Sequence, residues 1–304
     1  MKFEKVNMEK KIAVLIPCLN EAETIAKVIS DFKQELPEAE IYVYDNNSTD
    51  GTDEIARQGG AQVVYEHKQG KGCAVRSMFR DIEADCYIMT DGDDTYPADR
   101  AREMADIILN GEADMVVGDR LSSTYFTTNK RPFHNFGNRL VRFLVNLIFG
   151  SDLKDIMSGL RAFSYGFVKT FPCTSDGFQV ETEMAMHSLS KKLRIRELPI
   201  EYRDRPAGSF SKLNTVRDGF KVIMMIGRLT LKYRPALIYG ALSGLAAVIG
   251  IILNWTKHTL GAWIMLIAAL GLFFLMFMKE FTLRSQQEEF TRQYRRMMKE
   301  RSDV

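Results

Sequence analysis

Short apolar runs alternate with amphipathic stretches in the first part of the chain. The apolar runs predict five strands, at 12–16, 41–44, 62–65, 86–89 and 115–117. The stretches between them repeat apolar residues every three or four positions and predict helices, at 21–36, 53–57, 71–82 and 98–109. This alternation indicates an α/β fold with a mostly parallel, doubly wound, Rossmann-like sheet, in which ligands bind at the carboxyl ends of the strands.

A different pattern begins at about Phe133. The stretch 136–149 places its apolar side chains on one helical face. The stretch 213–231 has the same apolar pattern. Its basic residues, together with Lys232 directly after it, recur at spacings of four, seven and four: Arg217, Lys221, Arg228 and Lys232. Basic amphipathic helices suit the interface between a membrane and water, although helices that face a protein core have the same apolar pattern.

Two long apolar runs follow, at 235–253 and 261–278, with 19 and 18 residues and no charge. Each is long enough to cross a bilayer as a helix, so the runs predict a transmembrane pair; a buried helical hairpin is the alternative. Basic residues lie outside the pair, at Lys232, Arg234, Lys279 and Arg284. The positive-inside rule therefore predicts a multi-pass protein of the inner (plasma) membrane with both termini cytosolic.

These patterns predict four regions. They are a cytosolic α/β domain at 1–212 with an interfacial helix at about 133–149, a juxtamembrane helix at 213–234, the transmembrane pair at 235–278, and a charged tail at 279–304. The tail is expected to be a solvated or self-associating helix. The net charge is only +2, but basic residues become more frequent from Lys130 onward. That distribution favours membrane lipid as the anionic partner, and we expect no nucleic acid.

Four cysteines stand far apart, with no CxxC spacing: Cys18, Cys73, Cys86 and Cys173. A structural zinc site or a disulfide framework is therefore not expected, and the pattern predicts reduced, mostly buried thiols. The sequence also lacks HExxH, GxSxG and QxxRW motifs. The first two absences argue against a zinc protease and a serine hydrolase, and the third argues against a processive polysaccharide synthase.

The stretch "IMTDGDDTYPAD" at 88–99 crowds four carboxylates directly after a predicted strand: Asp91, Asp93, Asp94 and Asp99. Mutual repulsion opposes such crowding unless a cation, a partner charge or solvent relieves it. Asp91 and Asp93 have the spacing at which two carboxylates hold Mg²⁺ or Mn²⁺, and solvent-exposed acids are the alternative. Asp99 is expected to flank the next helix, and no role is predicted for Asp94.

Seven motifs occur in a fixed order: "IPCLNEAETI" at 16–25, "YDNNSTDGT" at 44–52, "GKG" at 70–72, "TDGDDTYPAD" at 90–99, "GDR" at 118–120, "DIMSGLRAF" at 155–163 and "RPAGSFSKL" at 205–213. Together they resemble the family 2 glycosyltransferases of the GT-A fold. More narrowly, the chain is similar to the dolichol-phosphate mannose synthase type of polyprenyl-phosphate glycosyltransferase, including bacterial undecaprenyl-phosphate enzymes. The resemblance covers about 12–231 and implies a membrane-anchored homo-oligomer, since similar anchored members form tetramers.

For the nucleotide sugar, the resemblance implies a site at the strand ends. Asp45 matches the acid that hydrogen-bonds the base, although turn formation is the alternative, which also suits Ser48, Asp50 and Gly51 better. Asp91 and Asp93 match the metal-binding DxD pair. The other matching positions are Pro17, Asn20, Glu21, Gly70, Lys71, Gly72, Arg205, Ser209, Ser211 and Lys212. The segment 205–213 resembles a loop that closes on the diphosphate, and a basic loop beside the membrane is the alternative.

For the acceptor phosphate, the resemblance implies arginines and an acid that orients basic groups. The matching residues are Arg120, Arg131, Asp155, Ser158, Gly159 and Arg161. A guanidinium fork suits phosphate oxygens, while a lipid-headgroup contact is the alternative for Arg131. An acid near the sugar falls on Glu181 or Glu183, and the helical register leaves that choice open.

The resemblance implies inverting transfer of one sugar to undecaprenyl or polyprenyl phosphate, giving a lipid-linked donor for cell-envelope glycosylation. UDP-GlcNAc is the favoured donor, ahead of UDP-glucose. A lipid phosphate is already an anionic nucleophile, so positioning and charge stabilisation are the main tasks, implied for Asp91, Asp93, Arg120, Arg131 and Lys212. The alternatives are transfer to a lipid-linked saccharide or diacylglycerol, use of GDP-mannose, and a non-catalytic scaffold.

Overall fold

The computed structural model describes residues 10–122, 132–204 and 215–303. The chain divides into two compact units, one comprising Met1–Phe143 and Ser151–Val222 and the other Leu144–Gly150 and Ile223–Val304. Seven strands are described: β1 (Ile12–Cys18), β2 (Glu40–Asp45), β3 (Gln62–Tyr65), β4 (Cys86–Met89), β5 (Met115–Asp119), β6 (Arg161–Ser164) and β7 (Ile195–Pro199). The described helices are α1 (Ile25–Glu35), α2 (Thr52–Gln58), α3 (Lys71–Asp81), α4 (Ala101–Leu109), α5 (Pro132–Phe149), α6 (Tyr165–Thr170), α7 (Val180–Lys191), α8 (Thr215–Tyr233), α9 (Pro235–Trp255) and α10 (Thr259–Asp303).

The strands form one sheet in the order β3-β2-β1-β4-β6-β5-β7. β1 to β4 are parallel to one another, β6 runs antiparallel to β4 and β5, and β7 is parallel to β5. The predicted α/β fold with a mostly parallel sheet is therefore confirmed. The carboxyl ends of β1, β2, β4 and β5 lie at one edge, where each is followed by a polar segment.

Alternation along the strands builds a core on each face of the sheet. Val14 of β1 packs in the cluster that contains Ile29 and Phe32 of α1 and residues of α4. The next residue, Leu15, points to the other face and packs in the cluster that contains Met78 of α3 and Phe167 of α6. Because both faces are covered, the parallel strands are continuous apolar runs.

Two strands and one helix start differ from the sequence predictions. The sheet extends into 161–199 through β6 and β7, whereas the sequence indicated a change of pattern from Phe133. Both strands are short, and β7 is a half-buried edge strand, so neither carries a long apolar run. α1 begins at Ile25 rather than Glu21, because residues before it form a turn in which Thr24 Oγ1 donates a 2.6 Å hydrogen bond to the Gly92 carbonyl.

The second unit contains the two long apolar helices. Pro235–Trp255 and Thr259–Arg301 are each long and apolar enough to cross a membrane by length and composition. They pack against each other, and Ser243 Oγ donates a 2.8 Å hydrogen bond to the Ala269 carbonyl. Large apolar side chains on both helices are exposed, including Ile251, Trp255, Leu270 and Phe274. The predicted tail continues α10 without a break, since no glycine or proline interrupts 279–303.

The predicted amphipathic helices also form, as α5 and α8. On α5, Phe136, Phe143 and Leu147 are exposed, and on α8, Phe220 and Met224 are exposed. The apolar faces of these helices are thus only partly covered by the protein. The four cysteines are buried, as predicted, and none of them forms a disulfide.

Candidate functional site

An ion-paired cluster lies at the carboxyl end of β4. The Lys71 ammonium, at the first residue of α3, lies 2.5 Å from Asp91 Oδ1 and 2.5 Å from Glu181 Oε1. Burial by itself lowers the pKa of Lys71, but the two carboxylates raise it above its ordinary value, so Lys71 remains a cation. The side chain of Asp91 is 27% exposed, against 9% for Lys71, which leaves Asp91 as the accessible member of the cluster.

This geometry resolves the choice between the two glutamates of α7. Glu181 faces Lys71 and Asp91, whereas Glu183 accepts hydrogen bonds from the backbone N–H groups of Thr174 and Ser175, at 2.9 and 2.8 Å. Glu183 therefore holds the loop before α7, and Glu181 belongs to the strand-end cluster. Spacing alone could not separate them, because both residues lie in the first turn of the helix.

Asp93 and Asp94 follow in the same loop but have different surroundings. Asp93 is buried, and its Oδ1 accepts hydrogen bonds from the Thr95 N–H at 3.2 Å and the Thr95 hydroxyl at 2.6 Å. Asp94 has a positive φ of 55° and pairs with Lys27 at 2.9 Å and Arg203 at 3.2 Å. Partner charges thus relieve the crowding at Asp91 and Asp94. Asp99 lies in the short 3-10 turn before α4, as expected for a flanking residue.

Tyr202 and Arg203 contact the loop that follows β4, at 94–96. The Arg203 N–H donates a 3.0 Å hydrogen bond to the Thr95 carbonyl, beside the ion pair with Asp94. The rings of Tyr96 and Tyr202 meet edge to face, with centroids 5.5 Å apart. No sequence motif predicts these contacts, which join residues more than a hundred positions apart.

The loops after β1 and β2 are joined by hydrogen bonds. The Asn20 N–H donates to Ser48 Oγ at 2.9 Å, and the Ala22 N–H donates to Asp50 Oδ2 at 3.0 Å. These bonds hold the two loops together, and Asp50 Oδ1 also accepts the Thr52 N–H at 3.1 Å, which is the turn contact that the sequence favoured. Pro17 lies near the end of β1 and pairs in register with Tyr44 of β2.

Asp45 and Glu21 are buried at the same two strand ends. The Glu21 N–H donates a 2.8 Å hydrogen bond to Thr52 Oγ1. Asp45 Oδ2 accepts from the Ser48 N–H at 3.1 Å, which is the turn-forming contact. Among the described residues, however, the buried Oδ1 of Asp45 has no hydrogen-bond partner. A buried carboxylate oxygen needs a donor, so Asp45 is also placed to accept an N–H from a ligand.

The two glycines of "GKG" have a packing reason. A Cβ at Gly70 would lie 2.1 Å from the Asp176 carbonyl oxygen, and a Cβ at Gly72 would lie 2.1 Å from that of Ser175. Only glycine allows the segment 173–177 to lie this close to the start of α3. The glycines thereby set the position of Lys71 between them.

A second ion pair closes the carboxyl end of β5. Arg120 donates to Asp155 through Nε at 2.7 Å and Nη2 at 3.0 Å, and the two side chains are 7% and 1% exposed. The rings of Tyr96 and Tyr202 lie 5.8 and 5.5 Å from the guanidinium carbon. Asp155 therefore orients a basic group, as the resemblance implies. Asp155 takes up only part of the five guanidinium N–H donors, and the expected role of Arg120 at the acceptor phosphate stays a prediction.

Arg161 and Ser158 are placed differently from the expectation of a phosphate site. Arg161 is fully buried in β6, and its guanidinium donates to the carbonyls of Ser158 at 2.9 Å and Ile156 at 2.6 Å. Ser158 is also fully buried. We therefore assign Arg161 to holding the 156–158 turn. Gly159 of the same motif contacts the site: a Cβ there would lie 2.7 Å from Asp91 Oδ2.

Several predicted residues lie outside the described part of the chain. These are Arg131 and the basic segment residues Arg205, Ser209, Ser211 and Lys212. Their expected roles at the acceptor phosphate and the diphosphate stay predictions.

The candidate metal residues fit a cation that is shared with a ligand. Within the described ranges, no group of three or more His, Cys, Asp or Glu is placed to hold a metal by itself. Asp91 and Asp93 supply hard carboxylate oxygens at a partly exposed strand end. Mg²⁺ is commonly held by one or two carboxylates together with substrate phosphates and water, which matches this donor set.

The sheet and the carboxylates at its edge define an α/β protein of the GT-A class. A solved structure with this fold is glucosyl-3-phosphoglycerate synthase from Mycobacterium tuberculosis in complex with Mn²⁺, UDP and glucosyl-3-phosphoglycerate; it has a TM-score of 0.58 and 20% identity, over 74% of this chain and 80% of that chain. Residues 13–171 match the family described as "Glycosyl transferase family 2". The chain belongs to glycosyl transferase family 2.

Two relatives extend the likeness beyond the matched residues. "Glycosyltransferase AglJ" of Haloferax volcanii is 36% identical over 256 residues, which are 82% of this chain and 84% of that protein. A "Dolichyl-phosphate hexose transferase" of the same organism is 29% identical over 223 residues, which are 73% of this chain and 95% of that protein.

Proposed function

We propose that this chain transfers one sugar from a nucleotide-diphosphate sugar to a polyprenyl phosphate, such as undecaprenyl phosphate. The observation that carries the proposal is that Asp45 and Asp91 both lie at the edge of the sheet where the carboxyl ends of β2 and β4 are found. Among the described residues, the buried Oδ1 of Asp45 has no hydrogen-bond donor. Asp91 is partly exposed beside the buried ammonium of Lys71. One residue suits a base N–H, and the other suits the charged end of the same ligand.

The donor diphosphate is proposed to bind beside Asp91 and Asp93 at the end of β4. Asp91 and Asp93 would hold Mg²⁺ or Mn²⁺, which would neutralise charge on the diphosphate. Lys71 keeps Asp91 in place, and the hydrogen bond from Asn20 to Ser48 holds the loop that is proposed to border the nucleotide. Of the donors, UDP-GlcNAc is proposed first and UDP-glucose second.

The acceptor would attack as its phosphate anion. This anion is a nucleophile without a strong general base, so the protein's task is to hold two anionic groups in line. Arg131, with Lys212, Arg205 and Ser211, is proposed to hold the acceptor and the leaving diphosphate. The buried Arg120–Asp155 pair is proposed to position the 155–159 turn, whose Gly159 abuts Asp91. In-line attack inverts the anomeric centre.

A lipid acceptor is supported by the apolar helices. Two helices of sufficient length follow the α/β unit, and α5 and α8 expose Phe136, Phe143, Phe220 and Met224. We propose a cytosolic transferase domain at 1–212 and a juxtamembrane helix at 213–234. A transmembrane pair at 235–278 and a cytosolic tail at 279–304 would complete a homo-oligomer of the plasma membrane.

A screen of donors and acceptors tests this proposal. The full chain in detergent is incubated with radiolabelled UDP-GlcNAc, UDP-glucose or GDP-mannose and with a short polyprenyl phosphate, a lipid-linked saccharide or diacylglycerol. We expect label in an acid-labile polyprenyl-phosphate product with a divalent cation present, and none with EDTA. Label only in a saccharide or diacylglycerol product would contradict the proposed acceptor, and GDP-mannose alone as donor would contradict the proposed donor. No turnover of any donor would support a scaffold.

A further inference from the structure

Lys71 joins three elements of the α/β unit through one buried ammonium group. Lys71 begins α3, Asp91 follows β4, and Glu181 lies in the first turn of α7. Both carboxylates approach the ammonium to 2.5 Å. The position of Lys71 is fixed from behind as well, because Gly70 and Gly72 pack against the carbonyls of Asp176 and Ser175. The ammonium is therefore held at Asp91 by the fold.

The formal charges of this cluster set up a competition. Two carboxylates and one ammonium sum to a single negative charge. Asp91 is also one of the two carboxylates proposed to hold the divalent cation. The ammonium of Lys71 therefore neutralises a carboxylate that the cation needs. A divalent cation at Asp91 would face a positive charge in a partly buried site, where screening by water is weak.

We propose that Lys71 is an internal competitor for the divalent cation at Asp91, and that the nucleotide diphosphate relieves this competition. An ammonium group has three donors, and a diphosphate offers it new anionic acceptors. With the diphosphate bound, the ammonium and the cation share an anion instead of competing for Asp91. The cation therefore binds weakly alone and tightly with the nucleotide. This inference rests on the proposed function; it makes Lys71 a ligand of the diphosphate and Glu181 a positioning residue.

Binding of Mn²⁺ itself tests the inference without any turnover. Free Mn²⁺ is measured by its electron paramagnetic resonance signal during titration of the full chain in detergent, with and without UDP. In the wild type we expect UDP to raise the Mn²⁺ affinity by about 10–100-fold, in the usual range of coupling between two sites. The charge-matched double variant Lys71→Met/Glu181→Gln keeps the single negative charge but has no ammonium.

For this double variant we expect Mn²⁺ to bind about tenfold more tightly without UDP, because the competing charge is gone. The enhancement by UDP should shrink by a similar factor. Lys71→Arg keeps the positive charge and is expected to bind Mn²⁺ alone as weakly as the wild type. Glu181→Gln alone leaves the ammonium entirely to Asp91 and should weaken Mn²⁺ binding in the absence of UDP.

The outcomes separate this inference from the proposed function. If UDP strengthens Mn²⁺ binding to the wild type but the double variant binds Mn²⁺ alone no more tightly, the competition is wrong while the metal site stands. If the double variant does not fold, tighter Mn²⁺ binding by Glu181→Gln overturns the competition, and weaker binding supports it. If the wild type binds no Mn²⁺ even with UDP, the proposed metal-dependent function fails and this inference fails with it.

Discussion

The ends of β4 and β5 carry two ion pairs that differ in how completely they are closed. At β5, Arg120 meets one carboxylate through two donors, and Asp155 is 1% exposed. At β4, Lys71 is shared by two carboxylates from different elements, and Asp91 is 27% exposed. The two charges of the β5 pair neutralise each other, whereas the β4 cluster has an accessible carboxylate and a net negative charge.

This difference distinguishes a part of the scaffold from a part of the site. A buried bidentate pair is neutral as a whole and is hardly accessible to a ligand. Removing one partner leaves an uncompensated buried charge. An exposed carboxylate beside a shared ammonium can exchange partners when a ligand arrives. Ion pairs at the ends of two strands of one sheet therefore have different roles, which motif spacing alone does not show.

Breaking the β5 pair should have the largest effect on stability. Arg120→Ala leaves Asp155 buried without its partner, and we expect the free energy of unfolding to fall by about 3–5 kcal/mol. Denaturant unfolding in detergent, followed by circular dichroism, measures this loss. The matched double variant Arg120→Met/Asp155→Leu should lose much less. Unchanged stability in Arg120→Ala, with loss of polyprenyl-phosphate binding, would show instead that Arg120 is an open phosphate ligand.

Moving Asp91 without removing it should reduce transfer more than stability. A Cβ at Gly159 would lie 2.7 Å from Asp91 Oδ2, so Gly159→Ala pushes that carboxylate from its place. Displacement of this kind is expected to lower the transfer rate by about 100-fold. Gly137→Ala is the control, because a Cβ there meets nothing within 4 Å. Equal rates for the two variants would mean that the position of Asp91 is unimportant.

Asp94 tests whether the contacts beside the β4 cluster matter for binding. Asp94→Asn keeps a side chain that tolerates the positive φ but removes the charge that pairs with Lys27 and Arg203. We expect the KM for the nucleotide sugar to rise a few-fold with kcat nearly unchanged. Stability should change by less than about 1 kcal/mol, since both partners are substantially exposed. A fall in kcat at constant KM would count against a positioning role.

The smallest effect is expected at the surface pair of Asp176. Hydrogen bonds from Lys68 and Arg76 lower the pKa of Asp176 from 3.8 to about 2. The folded pKa is depressed, so the stabilisation is present above the unfolded value and is lost as pH falls through about 2. The difference in Tm between wild type and Asp176→Asn should therefore be small and positive at neutral pH and should vanish near pH 2. A constant difference across this range would exclude the linkage.

The sequence predicted the parts of the molecule that depend on local pattern. Strands such as Cys86–Met89 and the turns at Ser48 and Asp50 follow from apolar runs and turn residues. Asp91 was identified by its place after a strand. The partners of these residues were not predictable, because Lys71–Glu181 and Asp94–Arg203 are contacts across more than a hundred positions. The resemblance implied that Asp155 orients basic groups, but its pairing with Arg120, 35 positions away, became visible only in the folded chain.

The central claim is that the carboxylates at the end of β4 carry sugar transfer to a lipid phosphate. The direct measurement is the rate of transfer from a radiolabelled nucleotide sugar to polyprenyl phosphate by the wild type, Asp93→Asn and the surface control Glu103→Gln. We expect equal rates for the wild type and Glu103→Gln, and a loss of at least about 100-fold for Asp93→Asn. Transfer by Asp93→Asn at the wild-type rate would contradict the central claim.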